Sequence, residues 1–132
     1  MNQYQYIAPG ARVGVYVGGV LRHEGIVTDT VVAGGQTVIS RSKRIGYAKE
    51  ELMSEFVGDR EVVELPPLSN LHPSLVIANA RRLLGTPWRL MDANCEHFVY
   101  ECFGMKPQSP QLQVWAVLGG VAAILLLVSR TG

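Results

Sequence analysis

The sequence contains few of the residues that disulfide frameworks and metal sites require. Only two of its 132 residues are cysteine and three are histidine. If Cys95 and Cys102 share a helix, they lie about 10 Å apart along its axis, too far for a disulfide between them. Two unpaired thiols are typical of a reducing compartment. No pair of histidines or acids has the spacing of metal ligands, so we predict neither a metal nor a cofactor.

An excess of charge of one sign is also missing. Twelve basic and eleven acidic residues leave a net charge of +1, and the basic residues are spread along the chain, so we expect no nucleic-acid partner. Residues 1–12 have no apolar run of the kind that a secretory signal needs, which predicts a cytoplasmic location for the domain. The length fits one domain with a single core.

The apolar pattern predicts strands first and helices later. Alternating residues indicate strands, and spacings of three and four with proline or glycine at the ends indicate helices. The strands are predicted at residues 11–20, 20–27, 36–40 and 61–65, and the helices at 47–56, at 73–84 and from 94 onward. This order favours an α+β fold with a small antiparallel sheet.

The run from Asn94 to Phe103 contains Cys95, the candidate catalytic thiol. Asn94 is placed to cap a helix, which puts Cys95 in the first turn, where the helix dipole favours a thiolate and lowers the thiol pKa. His97 lies about 200° round the helix from Cys95, so it is not the base for that thiol. A cysteine on an apolar helix face is more often a core residue than a nucleophile. A catalytic Cys95 therefore needs a histidine from elsewhere.

Four segments taken together resemble the lecithin:retinol acyltransferase-like family, which is similar to permuted NlpC-type, papain-like enzymes. In order along the chain they are Arg22-His23-Glu24-Gly25-Ile26-Val27, Val38-Ile39-Ser40, Leu83-Leu84-Gly85 and Asn94-Cys95-Glu96-His97-Phe98-Val99. The resemblance runs from about Pro9 to Met105, and the last of these segments is its most specific element. It implies that the antiparallel sheet and its helices form a permuted papain-like core.

The resemblance also implies a reaction and its residues. The family transfers acyl groups, typically from phospholipid esters, through a thiol. By position, Cys95 is then the nucleophile and His23 the base that ionises it, with an acyl-thioester intermediate. Backbone N–H groups at the helix start would hold the oxyanion. The implied partners are a phospholipid membrane and an acyl-lipid substrate.

The third catalytic position departs from the family pattern. Where the family has a second histidine that orients the first, this chain has Ser40, whose hydroxyl can bond an imidazole but stabilises positive charge less well. A tight turn at Gly34-Gly35 would pair Ser40 with Asp29. A wider loop over residues 29–35 would instead bring Ser40 beside His23.

The C-terminal stretch is predicted to be a membrane anchor. Residues 112–128 are apolar except for Gln113, and they span about 26 Å as a helix. Trp115 and Arg130 would lie at the two interfaces. The predicted organisation is a catalytic domain over residues 1–107 and a single-pass transmembrane helix within residues 108–132.

Two other functions remain open at this point. A permuted papain-like core also supports amide cleavage, so the chain can be an amidase or peptidase. Alternatively, because serine stands where a second histidine is expected, it can be an inactive, membrane-tethered binding module.

Overall fold

The computed structural model describes the backbone of residues 5–17 and 21–131, and the side chains of residues 5–17 and 22–120. Five strands and four helices lie in this part of the chain. In chain order they are β1 (Arg12–Val17), β2 (Leu21–Val32), β3 (Gly35–Arg41), β4 (Ala48–Leu52), α1 (Met53–Val57), β5 (Val63–Leu65), α2 (Pro73–Arg82), α3 (Cys95–Cys102) and α4 (Pro110–Thr131).

The strands form one antiparallel sheet in the order β4-β3-β2-β1-β5. The fold is therefore α+β. Most neighbouring strands follow one another in the chain, so short connections suffice, and only β5 crosses over to pair with β1. β2 is the central strand and carries the predicted base, His23.

The sheet is buried on both faces, because helices cover each side. On one face, α2 and α3 pack on Ile26 and Ile39, with Phe98 and Val99 of α3 fully buried. On the other face, Phe56 of α1 packs against a separate cluster of valines and other apolar residues, namely Ile7, Val13, Val15, Val27, Val38, Met53 and Val57. Since successive side chains of a strand point to opposite faces of the sheet, alternate residues of β2 face alternate clusters.

The helix predicted over residues 47–56 is wrong in its first half. Residues 48–52 form β4, an edge strand that pairs with β3 through Ser40 and Lys49 among others, and only α1 is helical. Ala48 and Leu52 are four residues apart, a spacing that suits one face of a helix and also one face of a strand. The tertiary pairing decides between them, because β4 supplies hydrogen-bond partners to the otherwise open edge of β3.

Two predictions for the C-terminal stretch are wrong, namely the transmembrane helix in the fold class and the single-pass membrane location. Within the described part of the chain, no helix is both long and apolar enough to cross a membrane. The first turn of α4 is also held to the domain, since the backbone N–H of Gln111 donates to Glu96 Oε1 at 3.0 Å. The remaining side chains of the predicted anchor, residues 121–128, and Arg130 lie outside the described residues.

Candidate functional site

The start of α3 is built as the sequence predicts. The side-chain oxygen of Asn94 accepts from the backbone N–H groups of Glu96 at 2.9 Å and His97 at 3.2 Å. His97 Nδ1 accepts in return from the backbone N–H of Asn94 at 3.1 Å. This reciprocal cap satisfies backbone donors that a helix start leaves open. The predicted N-cap is confirmed, and His97 serves as a capping residue.

Cys95 is the first residue of α3, and its sulfur lies against the backbone of β2. The thiol donates to the carbonyl oxygen of Arg22 at 3.7 Å, and the backbone N–H of Glu24 points at the sulfur. The pKa of Cys95 is raised to about 12, mainly by burial and also by the carboxylates of Glu24 and Glu96, against a lowering by backbone N–H groups. The lowered pKa expected from the helix start is therefore wrong, because desolvation outweighs the dipole.

His23 lies on the face of the sheet that α1 covers. It pairs across the strands with Val15, and its ring centroid lies 5.1 Å from that of Phe56. The pKa of His23 is lowered to about 4, mainly by burial and also by the charges of Arg44 and Arg60. The imidazole is thus neutral at pH 7. Its Nε2 atom is buried and has no hydrogen-bond partner among the described residues.

No hydrogen bond joins the two predicted catalytic groups in the part of the chain that the structure describes. α3 covers one face of the sheet, whereas the imidazole of His23 packs on Phe56 at the other. The sulfur of Cys95 nevertheless reaches the backbone groups on either side of His23, the Arg22 carbonyl and the Glu24 amide. The thiol is therefore close to the main chain of the predicted base, while the imidazole packs on Phe56 and makes no hydrogen bond to the thiol within the described residues.

Ser40 shares the face of His23, and an irregularity between β2 and β3 decides how close the two residues come. The pairs Val32–Gly35 and Val31–Gln36 follow one register, and the register then shifts before Val27 pairs with Val38. The register next to the turn would place Ser40 opposite Val27, and the shift moves it two positions further, opposite Gly25. A Cβ placed on Gly25 would lie 3.2 Å from the Cβ of Ser40, so Ser40 lies two positions from His23. Its hydroxyl is buried and, among the described residues, has no partner.

Cys95 lines a groove of about 190 Å³ with mostly apolar walls. The walls come from β2, the segment before α3, the start of α3 and α4, and the residues are Arg22, Trp88, Leu90, Asn94, Glu96, Gln111, Leu112 and Trp115. Gln111 fixes the α4 wall by accepting from the backbone N–H of Arg22 at 2.8 Å and donating to its carbonyl at 3.2 Å. Sequence reasoning missed these wall residues, because nothing in the local pattern places them beside α3.

Arg22 and Glu96, which line the groove, belong to a group of four charged side chains that also includes Arg12 and Glu24. Arg12 and Arg22 both bond Glu24, at 2.7 Å and 3.3 Å. Glu96 accepts from the hydroxyl of Ser109 at 2.6 Å through Oε1. Its Oε2 atom has no hydrogen bond within the described residues and lies 4.0 Å from a guanidinium nitrogen of Arg22. Two arginines thus balance two carboxylates, as buried charges require.

No protein-family model and no curated protein matches the chain. The resemblance to the lecithin:retinol acyltransferase-like family therefore stays a prediction from the quoted segments. Among the described residues, no group of three or more histidines, cysteines or acids is placed to hold a metal ion.

Proposed function

We propose that the protein is a thiol acyl hydrolase or acyltransferase that cleaves acyl esters of phospholipids through a thioester on Cys95. The observation that carries this proposal is the position of the thiol, which lies at a capped helix start and lines an apolar groove. The walls formed by Trp88, Leu112 and Trp115 suit an acyl chain, because such a chain gains free energy by leaving water for an apolar surface.

The proposed reaction has two steps. The sulfur of Cys95 attacks the ester carbonyl, a C–S bond forms, and the C–O bond to the glycerol oxygen breaks. The thiol proton passes to neutral His23 and then to the leaving oxygen. Water or an acceptor hydroxyl or amine next attacks the thioester and returns a proton to the thiol. The backbone N–H of Cys95, which the Asn94 cap does not use, stabilises the oxyanion in both steps.

A second candidate function is a lipid-binding module that takes the acyl chain without cleaving it. It is favoured by the raised pKa of Cys95, the lowered pKa of His23 and the lack of a hydrogen bond between thiol and imidazole in the described residues. Turnover requires these two groups to come within hydrogen-bond reach of each other. The binding function requires only the groove.

One experiment separates the two functions. The full chain is incubated with vesicles of mixed phosphatidylcholine and phosphatidylethanolamine, and intact-protein and lipid mass spectrometry follow the acyl group. For the enzyme, we expect an acyl adduct on Cys95 and release of lysolipid. Both signals should persist in Cys102→Ala, since that thiol is fully buried in the core, and disappear in Cys95→Ala.

The other outcomes are equally informative. Vesicle binding without adduct or lysolipid would establish the binding module and refute the enzyme. Absence of both binding and turnover would refute both functions. Equal loss of turnover in Cys95→Ala and Cys102→Ala, with both variants folded, would refute the role given to Cys95.

A further inference from the structure

A second cavity lies at the start of α4 and borders the thiol groove at Leu112. Its volume is about 350 Å³. His97, Lys106, Gln108 and Gln113 contribute polar side chains, and no acidic residue is among those that line it. Leu112 lines both this cavity and the groove. The cavity therefore presents hydrogen-bond donors and one cation without a carboxylate to repel an anion.

His97 offers a donor whose orientation is set by the helix cap. Only 6% of this residue is exposed. Its Nδ1 atom accepts from the backbone N–H of Asn94, so in the neutral ring the proton resides on Nε2. Within the described part of the chain Nε2 has no hydrogen-bond partner. The ring is thus held with an unused N–H in a cavity wall.

Three carboxylates act on this ring, those of Asp92, Glu96 and Glu101, and the first two are engaged by other groups. Asp92 accepts from Arg89 at 3.0 Å. Glu96 accepts from Ser109 and from the backbone of Gln111. Neither side chain lines the cavity, so the charge of Lys106 is not cancelled at the wall.

We propose that this cavity binds a phosphate group through the Nε2–H of His97, the ammonium of Lys106 and the side-chain amides of Gln108 and Gln113. A phosphate has several acceptor oxygens and a negative charge, and it matches several convergent donors and one cation. The phosphate belongs either to a small soluble phosphate or to a phospholipid headgroup. Cys95 takes no part in this binding, so the proposal stands or falls separately from the thiol chemistry.

The test is a titration of the full chain with inorganic phosphate. The ¹⁵N chemical shifts of labelled histidine are measured at each phosphate concentration. We expect the His97 Nε2 signal to move and the exposed His72 signal to stay in place. Lys106→Gln should weaken binding by about tenfold or more, the loss typical of a charge-assisted hydrogen bond. Lys49→Gln, which removes an exposed lysine of β4, and Cys95→Ala should bind as the unaltered chain does.

A second arm distinguishes the two sources of phosphate. Cosedimentation is measured with vesicles of phosphatidylcholine and phosphatidic acid in equal parts. Binding to vesicles that depends on Lys106, without binding of inorganic phosphate, would identify a lipid headgroup. Binding of inorganic phosphate that depends on Lys106 would identify a soluble phosphate. If Lys106→Gln and Lys49→Gln behave alike in both arms, the proposal is wrong.

Discussion

The thiol of Cys95 donates a hydrogen bond to the backbone carbonyl of Arg22, with the sulfur 3.7 Å from the oxygen. The residue after Arg22 is His23, yet its imidazole packs on Phe56 at the opposite face of the sheet. The resting thiol is therefore bonded to the main chain of β2. In the proposed catalytic cycle, the thiol must break its hydrogen bond to this carbonyl and form one with the imidazole nitrogen of His23.

The reactivity of Cys95 toward iodoacetamide should report its raised pKa. Since the thiolate is the nucleophile and the pKa of Cys95 is about 12, the rate should rise about tenfold per pH unit from pH 7 to pH 10 without a plateau. Mass spectrometry of the labelled peptide measures it, with Cys95→Ala as the control for labelling elsewhere. A plateau near pH 7 would show that the thiol is ionised in the resting protein.

The stability of the fold should fall as the pH drops from about 6.5 to about 4, because of His23. Its folded pKa of about 4 lies below the ordinary value of 6.5, so in this window the unfolded chain binds a proton that the folded chain does not. The free energy of unfolding should decrease by up to roughly 3 kcal/mol. Urea titrations at several pH values measure this loss.

Two variants assign that loss to His23. His23→Leu should flatten most of the slope, and burial of His97, which also lowers its pKa, accounts for part of the remainder. His72→Asn is the matched control, because His72 is an exposed helix N-cap and asparagine retains the cap. An unchanged slope in His23→Leu would contradict the buried neutral imidazole.

Ser40→Ala should leave the free energy of unfolding unchanged or raise it by about 1 kcal/mol. The hydroxyl of Ser40 is buried without a partner in the described structure, and removing an unsatisfied polar atom relieves its desolvation cost. Ser40→Thr, a comparison of similar chemistry, adds a methyl group at a fully packed position beside Gly25 and should destabilise. A loss above about 1 kcal/mol in Ser40→Ala would show that the hydroxyl bonds a group such as an ordered water.

Gln111→Ala should loosen the first turn of α4 from β2. The change removes the bonds of Gln111 to both the N–H and the carbonyl of Arg22, and each is worth about 1 kcal/mol. Amide hydrogen exchange should become faster at Arg22 and in residues 111–114. Val114→Ala truncates an exposed neighbour and should leave both rates unchanged. Equal effects of the two variants would mean that Gln111 does not hold the turn.

The local features of the site could be predicted from the sequence because short-range chemistry decides them. Asn94 caps α3 since an amide oxygen one residue before a helix reaches its free N–H groups. Pro73 begins α2 for the same kind of reason, as its fixed φ suits a first turn and it has no N–H to satisfy. The order of strands before helices likewise follows from patterns within single segments.

Tertiary contacts alone decided the rest. Residues 48–52 became a strand because β3 offered an open edge, and a register shift in β2 set the place of Ser40. The pKa of Cys95 rose because desolvation by distant segments outweighs the dipole of its own helix. Successive side chains of a strand point to opposite faces of the sheet. The imidazole of His23 therefore faces Phe56, although Arg22, the residue before it in the chain, bonds the thiol through its carbonyl.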